Sequence, residues 1–267
     1  MNLPRNTGSV NLSDKERVER EAAAMNKLEG DLKDGFHCEK CNDKGIFFFA
    51  VESDTGYRVS SSNCSCMKQR ASYRRLRRSG MENAIKRCTF DNYETAETWQ
   101  ARLKAAVKKF ADNVEQLDNK WLYIGGGVGA GKTHLCTAVA GELLKREYDL
   151  RYMLWVDEST KLKATITDDV KYAEMIEPIK NAEVLYIDDL FKLPPTSADI
   201  KLAYEIINHR YQNPNLITII SSEKYVSELE DIDAATGSRI YEKSKGNAYN
   251  IKREKNRNYR IRDIELI

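Results

Sequence analysis

Eight consecutive residues, Gly126-Gly127-Val128-Gly129-Ala130-Gly131-Lys132-Thr133, restrict this chain to a small set of folds. They match G-x-x-x-x-G-K-[ST], a pattern that needs a strand before it and a helix after it. Both flanks are present. Trp121-Leu122-Tyr123-Ile124 reads as a buried strand, and Leu135-Cys136-Thr137-Ala138-Val139-Ala140 opens a helix. Glycines let successive N–H groups turn inward around a phosphate, and the helix N-terminus adds a partial positive charge. Lys132 then reaches the β- and γ-phosphates of ATP, and Thr133 sets its hydroxyl on Mg²⁺. The loop from Gly126 through His134 is the predicted nucleotide cradle. A glycine-rich turn with a chance Gly-Lys-Thr would not explain both flanks.

Downstream, Val184-Leu185-Tyr186-Ile187 is apolar throughout and ends in Asp188-Asp189. Such a run suits the centre of a parallel sheet, where ligand groups gather at the carboxyl ends of strands. Asp188 is placed on the Mg²⁺ shell, and Asp189 is the expected general base for the attacking water. Alone, the pair would read as surface acids after a core strand; the phosphate loop upstream changes that reading.

From about Cys88 onward, strands and helices alternate, which implies an α/β fold with a central parallel sheet. Helices are expected at 96–117, 133–147, 170–180 and 197–212, and strands at 121–125, 151–156, 184–188 and 216–221. Ahead of this domain, residues 1–12 read as flexible. Ser13-Asp14-Lys15-Glu16 is a capping box that opens a helix to about Leu28, ended by Gly30. Two strands, Gly45 to Val51 and Gly56 to Ser60, form a hairpin that turns near Asp54-Thr55-Gly56. A basic helix over 67–79 stops at Ser79-Gly80. The expected division is therefore 1–35, a cysteine module at 36–66, a basic linker at 67–87, and the α/β domain at 88–267.

Cys38-Glu39-Lys40-Cys41 and Cys64-Ser65-Cys66 bracket the hairpin. Two close thiolate pairs brought together by a hairpin are what tetrahedral Zn²⁺ requires, and four protein ligands leave no open catalytic position. His37 is an alternative ligand to its neighbour Cys38. So small a module cannot bury a sufficient core alone, so the metal would supply its stability. Cys88 and Cys136 read as buried structural residues. Cysteines used this way, a longest apolar run of only Ile46 to Val51, and no apolar signal core over Met1 to Val10 predict a cytoplasmic protein with no membrane partner.

The net charge of +2 excludes a molecule that is basic overall, but its cations cluster. Lys68, Arg70, Arg74, Arg75, Arg77, Arg78, Lys86 and Arg87 face the single acid Glu82. That segment reads equally as a helix meeting protein or nucleic acid and as a solvated face. The 243–262 stretch is basic too, suited to phosphates of nucleotide or of DNA. Ser221-Ser222 ends another apolar run and reads as a γ-phosphate or water sensor, or as a plain turn. Arg239 is an arginine finger for a neighbouring subunit or a surface ion-pair partner.

Taken in order, Gly126–Thr133, Asp188-Asp189, Ser221-Ser222 and Gly237-Ser238-Arg239 resemble the motifs of AAA+ ATPases. Together with the cysteine module, Thr89-Phe90-Asp91-Asn92-Tyr93 and Asn258-Tyr259-Arg260, they resemble DnaC/DnaI-type helicase loaders over about residues 36–262. The resemblance implies sensor roles for Ser222 and Arg260 and a finger role for Arg239. Arg257 and Arg262 stand near enough to compete with Arg260. Ser222 stands where the family usually has asparagine, and Asp189 where many members have glutamate, which implies slow hydrolysis. It further implies a hexameric replicative helicase as partner, contact with single-stranded DNA, and ATP-dependent self-assembly. Two other readings share these motifs: an IstB-type transposition helper acting on double-stranded DNA, and a nucleotide-bound adaptor that does not hydrolyse ATP.

Overall fold

The computed structural model describes residues 13–254 and 257–260. It divides into two compact units at Arg70–Ala71, inside one helix, rather than at the boundaries expected from sequence.

In the first unit, α1 (Asp14–Lys27) starts at Ser13, whose hydroxyl accepts from the Glu16 N–H while the Glu16 carboxylate accepts from the Ser13 N–H. The antiparallel hairpin of β1 (Ile46–Ser53) and β2 (Gly56–Asn63) runs longer than the sequence suggested and closes at the Ser53–Gly56 pair. The helix is fastened to this hairpin by polar contacts. The Asn26 amide exchanges two hydrogen bonds with the backbone of Phe48, at 2.8 and 2.9 Å, and Asp14 accepts from the Tyr57 N–H at 2.9 Å. Residues 13–35 thus belong with the cysteine module. Among the described residues, the buried apolar side chains here are only Val18, Ala22, Cys41, Cys64 and Cys66. The helix α2 (Cys66–Arg78) begins in this unit.

The second unit is a five-stranded sheet in the order β4-β5-β6-β3-β7, with every pairing parallel. Its strands are β3 (Trp121–Gly126), β4 (Leu150–Leu154), β5 (Val184–Asp188), β6 (Ile217–Ser222) and β7 (Ala248–Ile251). The sheet is covered on both faces, so β3, β5 and β6 are buried at every position, which explains their unbroken apolar runs. Leu122, Ile124 and Ile219 pack with α4 (Thr98–Asn113) and α5 (Lys132–Lys145), whereas Trp121, Tyr123 and Ile220 pack with α8 (Ser197–Tyr211) and α10 (Ala234–Lys243). Each buried aliphatic side chain in these layers contributes roughly 1.5–3 kcal/mol.

Arg210 crosses one layer as a fully buried strut. Its guanidinium donates to the carbonyls of Lys180 and Ala182 at 2.9 Å, to Ile217 O at 2.7 Å and to Thr218 Oγ1 at 3.0 Å. Burial pushes its pKa down to about 9, so it still carries its charge at neutral pH.

Sequence expectation and structure part in several places. Trp155 and Val156 leave the expected strand and open α6 (Trp155–Ala164), which has no side-chain cap to announce it. The short elements α3 (Glu82–Arg87), α9 (Glu228–Ile232) and β7 were not foreseen; α10 carries the Arg239 region as helix. Much of the basic 67–87 segment is neutralised locally: Arg75 pairs with Asp149, and Arg77 and Lys86 with Glu82. No helix among the described residues is long and apolar enough to cross a membrane.

Candidate functional site

The loop between β3 and α5 carries glycines at positive φ at positions 126, 129 and 131, and the first and last show why no side chain fits. Gly126 has φ 120°, and a Cβ there would lie 2.0 Å from Ile251 O on β7. Gly131, the residue before α5, has φ 84°, and a Cβ there would meet the Tyr93 ring at 2.8 Å. Lys132 opens the helix and is almost fully buried. Its ammonium donates to the carbonyls of Gly126 at 3.0 Å and Gly127 at 2.8 Å. Burial pushes the Lys132 pKa down, against the pull of Glu223 and Asp189.

Thr133 Oγ1 donates to Asp188 Oδ1 at 3.1 Å, joining the two motifs that sequence pointed to separately. Asp188 is buried at the carboxyl end of β5 and collects further hydroxyls. Tyr186 donates to Oδ1 at 2.8 Å, Tyr152 to Oδ2 at 3.1 Å, and Ser221 also donates to Oδ1. Burial, reinforced by the Asp188 charge, raises both tyrosine pKa values, so they remain donors. Tyr152 and Tyr186 look like ordinary core residues in the sequence; Tyr186 reaches the acid from two residues back along its own strand, and the β4–β5 register, which sets Tyr152 beside Tyr186, brings in the other.

Ser221, not Ser222, meets Asp188. The two serines point to opposite faces of β6, and Ser222 Oγ donates instead to Leu190 O at 2.6 Å and accepts from the Lys224 N–H at 3.1 Å.

Asp189 has a left-handed backbone, φ 58°, and its carboxylate pairs with Lys192 at 2.5 Å. Both line a cavity of about 220 Å³ that Val128, Gly129, Ala130, Gly131, Lys132, Thr133 and His134 close from the loop side, with Glu223 and Arg260 opposite. Arg260 is thus in this cavity, whereas Arg257 stacks on Trp99 at 4.9 Å and lines the neighbouring one; Arg262 lies outside the described residues. Beside the loop, Asn92, Tyr93, His134 and Tyr259 surround that second cavity, of about 170 Å³. His134 Nε2 bonds Thr89 O at 2.8 Å and meets the Tyr93 ring edge-on at 5.3 Å. Burial raises the Tyr93 phenol to about 12, and its buried hydroxyl has no hydrogen-bond partner among the described residues. Lys192 and Glu223 carry no motif signal.

Arg239 is absent from the residues that line either cavity. On α10 it donates to Ala235 O at 2.8 Å and lies over the rings of Tyr204 and Tyr211 at 5.3 and 5.4 Å, with Nε buried and without a hydrogen-bond partner among the described residues.

In the first unit the structure gathers Cys38, Cys41, Cys64 and Cys66, with all four sulfurs within 4.8 Å of one another. Cys38 and Cys64 are 3.9 Å apart, and Cys41 and Cys66 are 3.6 Å apart. Sulfurs bound tetrahedrally at about 2.3 Å from one zinc ion stand about 3.8 Å apart, so the cluster fits that ion. Burial raises the Cys66 thiol, while for Cys41 burial is outweighed by the Gly45 N–H and the neighbouring thiols, giving about 7. His37 is not in the cluster: its Nδ1 bonds Asp43 at 2.8 Å. Asp43 also accepts from the Cys38 N–H at 2.9 Å and from buried Arg70, which Asp34 holds as well.

The profile of the bacterial DnaA ATPase domain matches residues 85–243. The chain belongs to that AAA+ family. Phage-like element PBSX protein XkdC of Bacillus subtilis (strain 168) is 32% identical over 242 residues, covering 86% of this chain and 88% of that protein. The replicative helicase loader DnaC of Escherichia coli (strain K12) is 22% identical over 173 residues, covering 64% and 68%. A crystal structure of the DnaC helicase loader superposes with a TM-score of 0.54 at 23% identity, covering 64% of this chain and 98% of that one. At that identity the likeness speaks for the fold. The chain spans about half (49%) of the DnaA structure bound to AMPPCP and single-stranded DNA. Replicative helicase loaders are thus among the proteins this AAA+ chain is similar to, and the transposition-helper reading is not favoured.

Proposed function

We propose that this chain binds and slowly hydrolyses ATP to control the loading of a hexameric replicative helicase onto single-stranded DNA. The observation that carries the nucleotide part is the 3.1 Å bond from Thr133 to Asp188 beside buried Lys132. It joins a phosphate-binding helix start, a hydroxyl and an acid at the carboxyl ends of parallel strands. The backbone of Gly126 to Thr133 cradles the phosphates, and Lys132 exchanges its two loop carbonyls for phosphate oxygens. Thr133 and Asp188 are the residues that would hold Mg²⁺, which supplies charge neutralisation on the phosphate oxygens. Tyr152, Tyr186 and Ser221 keep the Asp188 carboxylate oriented.

Asp189 accepts the proton of a water whose oxygen bonds to the γ-phosphorus as the bond to the bridging oxygen of ADP breaks. Its short side chain keeps that step slow. Arg260 faces the phosphates from the same chain, and Tyr93 with His134 borders the nucleobase. Arg239 reads the nucleotide of a neighbouring copy in an ATP-dependent assembly. Cys38, Cys41, Cys64 and Cys66 hold Zn²⁺, and the unit they stabilise grips the helicase. DNA is met through cations and stacking aromatics, and the protein works in the cytoplasm.

The loader part is supported by family membership and by the similarity to helicase loaders. Its test is a pull-down from host lysate with the tagged full chain. The replicative helicase should be recovered with ATP and lost with Lys132→Ala. Recovery of a transposase in its place would overturn the loader reading.

A further inference from the structure

The turn that follows β5 carries a cation with no part in the reading above. Lys192 N–H donates to Asp189 O at 3.1 Å, closing the turn Asp189–Lys192. Two of its residues, Asp189 at φ 58° and Phe191 at φ 52°, hold left-handed conformations that side-chain-bearing residues rarely adopt. Strand β6 pins the turn: Asp189 N–H donates to Ser221 Oγ at 3.0 Å, Leu190 N–H to Ser221 O at 2.9 Å, and Ser222 Oγ to Leu190 O at 2.6 Å. Leu190 and Phe191 are buried below it. The backbone is therefore committed to bringing residue 192 back over residue 189, where the ammonium meets Asp189 Oδ2 at 2.5 Å. An incidental surface ion pair contributes little and needs no such backbone. This pair stands in the wall of the phosphate cavity, with Lys132, Thr133 and Arg260.

We propose that Lys192 divides its ammonium between Asp189 and the γ-phosphate of ATP, acting as a γ-phosphate sensor that frees the general base. The inference rests on the reading that this cavity takes ATP. With ADP, Lys192 stays on Asp189 and the carboxylate is engaged. With ATP, the γ-phosphate competes for the ammonium, and the released carboxylate can orient water. The two serines of β6 serve this device differently: Ser221 touches both Asp188 and the turn, whereas Ser222 holds the turn that delivers Lys192 without touching Asp188.

The test is equilibrium binding of AMPPCP and of ADP, with Mg²⁺, to the full chain and its variants, each checked for a cooperative thermal melt. Lys192→Met should weaken AMPPCP roughly tenfold, the effect of removing one charge-assisted hydrogen bond, and leave ADP within about twofold. Lys192→Arg should restore most of the AMPPCP affinity. Asp189→Asn should tighten AMPPCP a few-fold by releasing Lys192, and that gain should vanish in the Lys192→Met background. Equal weakening of both nucleotides, or no weakening of either, would overturn the sensor. If Lys192→Met failed to melt cooperatively, Asp189→Asn alone decides: no tightening of AMPPCP overturns it too. Failure of the unmodified chain to bind either nucleotide would instead remove the ATP reading, a result distinguishable because Lys132→Ala would then change nothing.

Discussion

The two units are held together by opposite means. The first has a buried apolar set of two helix residues and three cysteines, with its order residing in polar groups: the thiol cluster, Asp43 with its three partners, and the Asn26–Phe48 exchange. The second has two extensive apolar layers around a sheet, and buried polar side chains such as Lys132, Asp188, Ser221 and Ser222 stand at the phosphate loop and the carboxyl ends of β5 and β6. Where apolar burial suffices, polar groups are released for chemistry; where it does not, they must carry the fold.

The largest effect expected from this contrast is on metal removal. Chelation, or Cys41→Ser, should unfold residues 13–70, because free energy of zinc binding in such a module is folding free energy of about 10 kcal/mol. The second unit should keep its nucleotide affinity. Hydrogen exchange read unit by unit checks this, and unchanged protection over residues 38–66 after zinc removal would break the comparison.

Next in size is Arg210→Met. Here the apolar unit relies on a buried charge, and losing it leaves the carbonyls of Lys180, Ala182 and Ile217 without their donor. A loss of about 3–5 kcal/mol in the second unit is expected, measured as a lowered urea midpoint. A midpoint unchanged by this substitution would mean that the strut is idle.

Ser221→Ala sharpens the contrast from the other side. The hydroxyl serves Asp188, so ATP turnover should fall about tenfold, equal to about 1.4 kcal/mol in the barrier, with a small change in melting temperature. An equal loss of stability would place Ser221 among the fold-holding groups.

The smallest effect belongs to Glu228, whose partner Arg253 lies in the segment after β7. The hydrogen bond from Arg253 holds the Glu228 carboxyl down at about 2, below the usual 4.5. A depressed carboxyl stabilises the fold above its unfolded pKa, and that contribution disappears as pH falls from 4.5 toward 2. The two side chains are 42% and 35% exposed and the pair is screened, so Glu228→Gln should cost under about 1 kcal/mol at pH 7 and only a small part of that at pH 2. Urea midpoints at both values test it.

Sequence made both units legible where a local signal exists. The phosphate loop, the β5 strand with the bounds 184–188, and the Ser13 capping box each follow from neighbours in the chain. What stayed hidden depends on register. Strands buried on both faces carry no alternation, so nothing in Ser221-Ser222 says which hydroxyl faces Asp188. That answer comes from β5–β6 pairing, where Ile187 stands beside Ile220 and the next residues are Asp188 and Ser221. The α6 start was illegible because Leu154 precedes it without a capping side chain, so Arg151 to Val156 read as one strand. The cysteine cluster was legible from spacing, whereas the Asp43 hub that supports it was not: its partners His37, Cys38 and Arg70 carry no shared pattern.

Arg210 has a consequence for how this chain can change. Most of the oxygens it grips are main-chain carbonyls, and only Thr218 offers a side chain. Every residue type supplies the same carbonyl, so the strut places no demand on which side chains stand at positions 180, 182 and 217. In a saturation library, position 210 should therefore be intolerant while its partner Lys180, whose side chain is turned to other work, accepts many replacements. The constraint is written at one position and read at several others whose side chains are left free to drift.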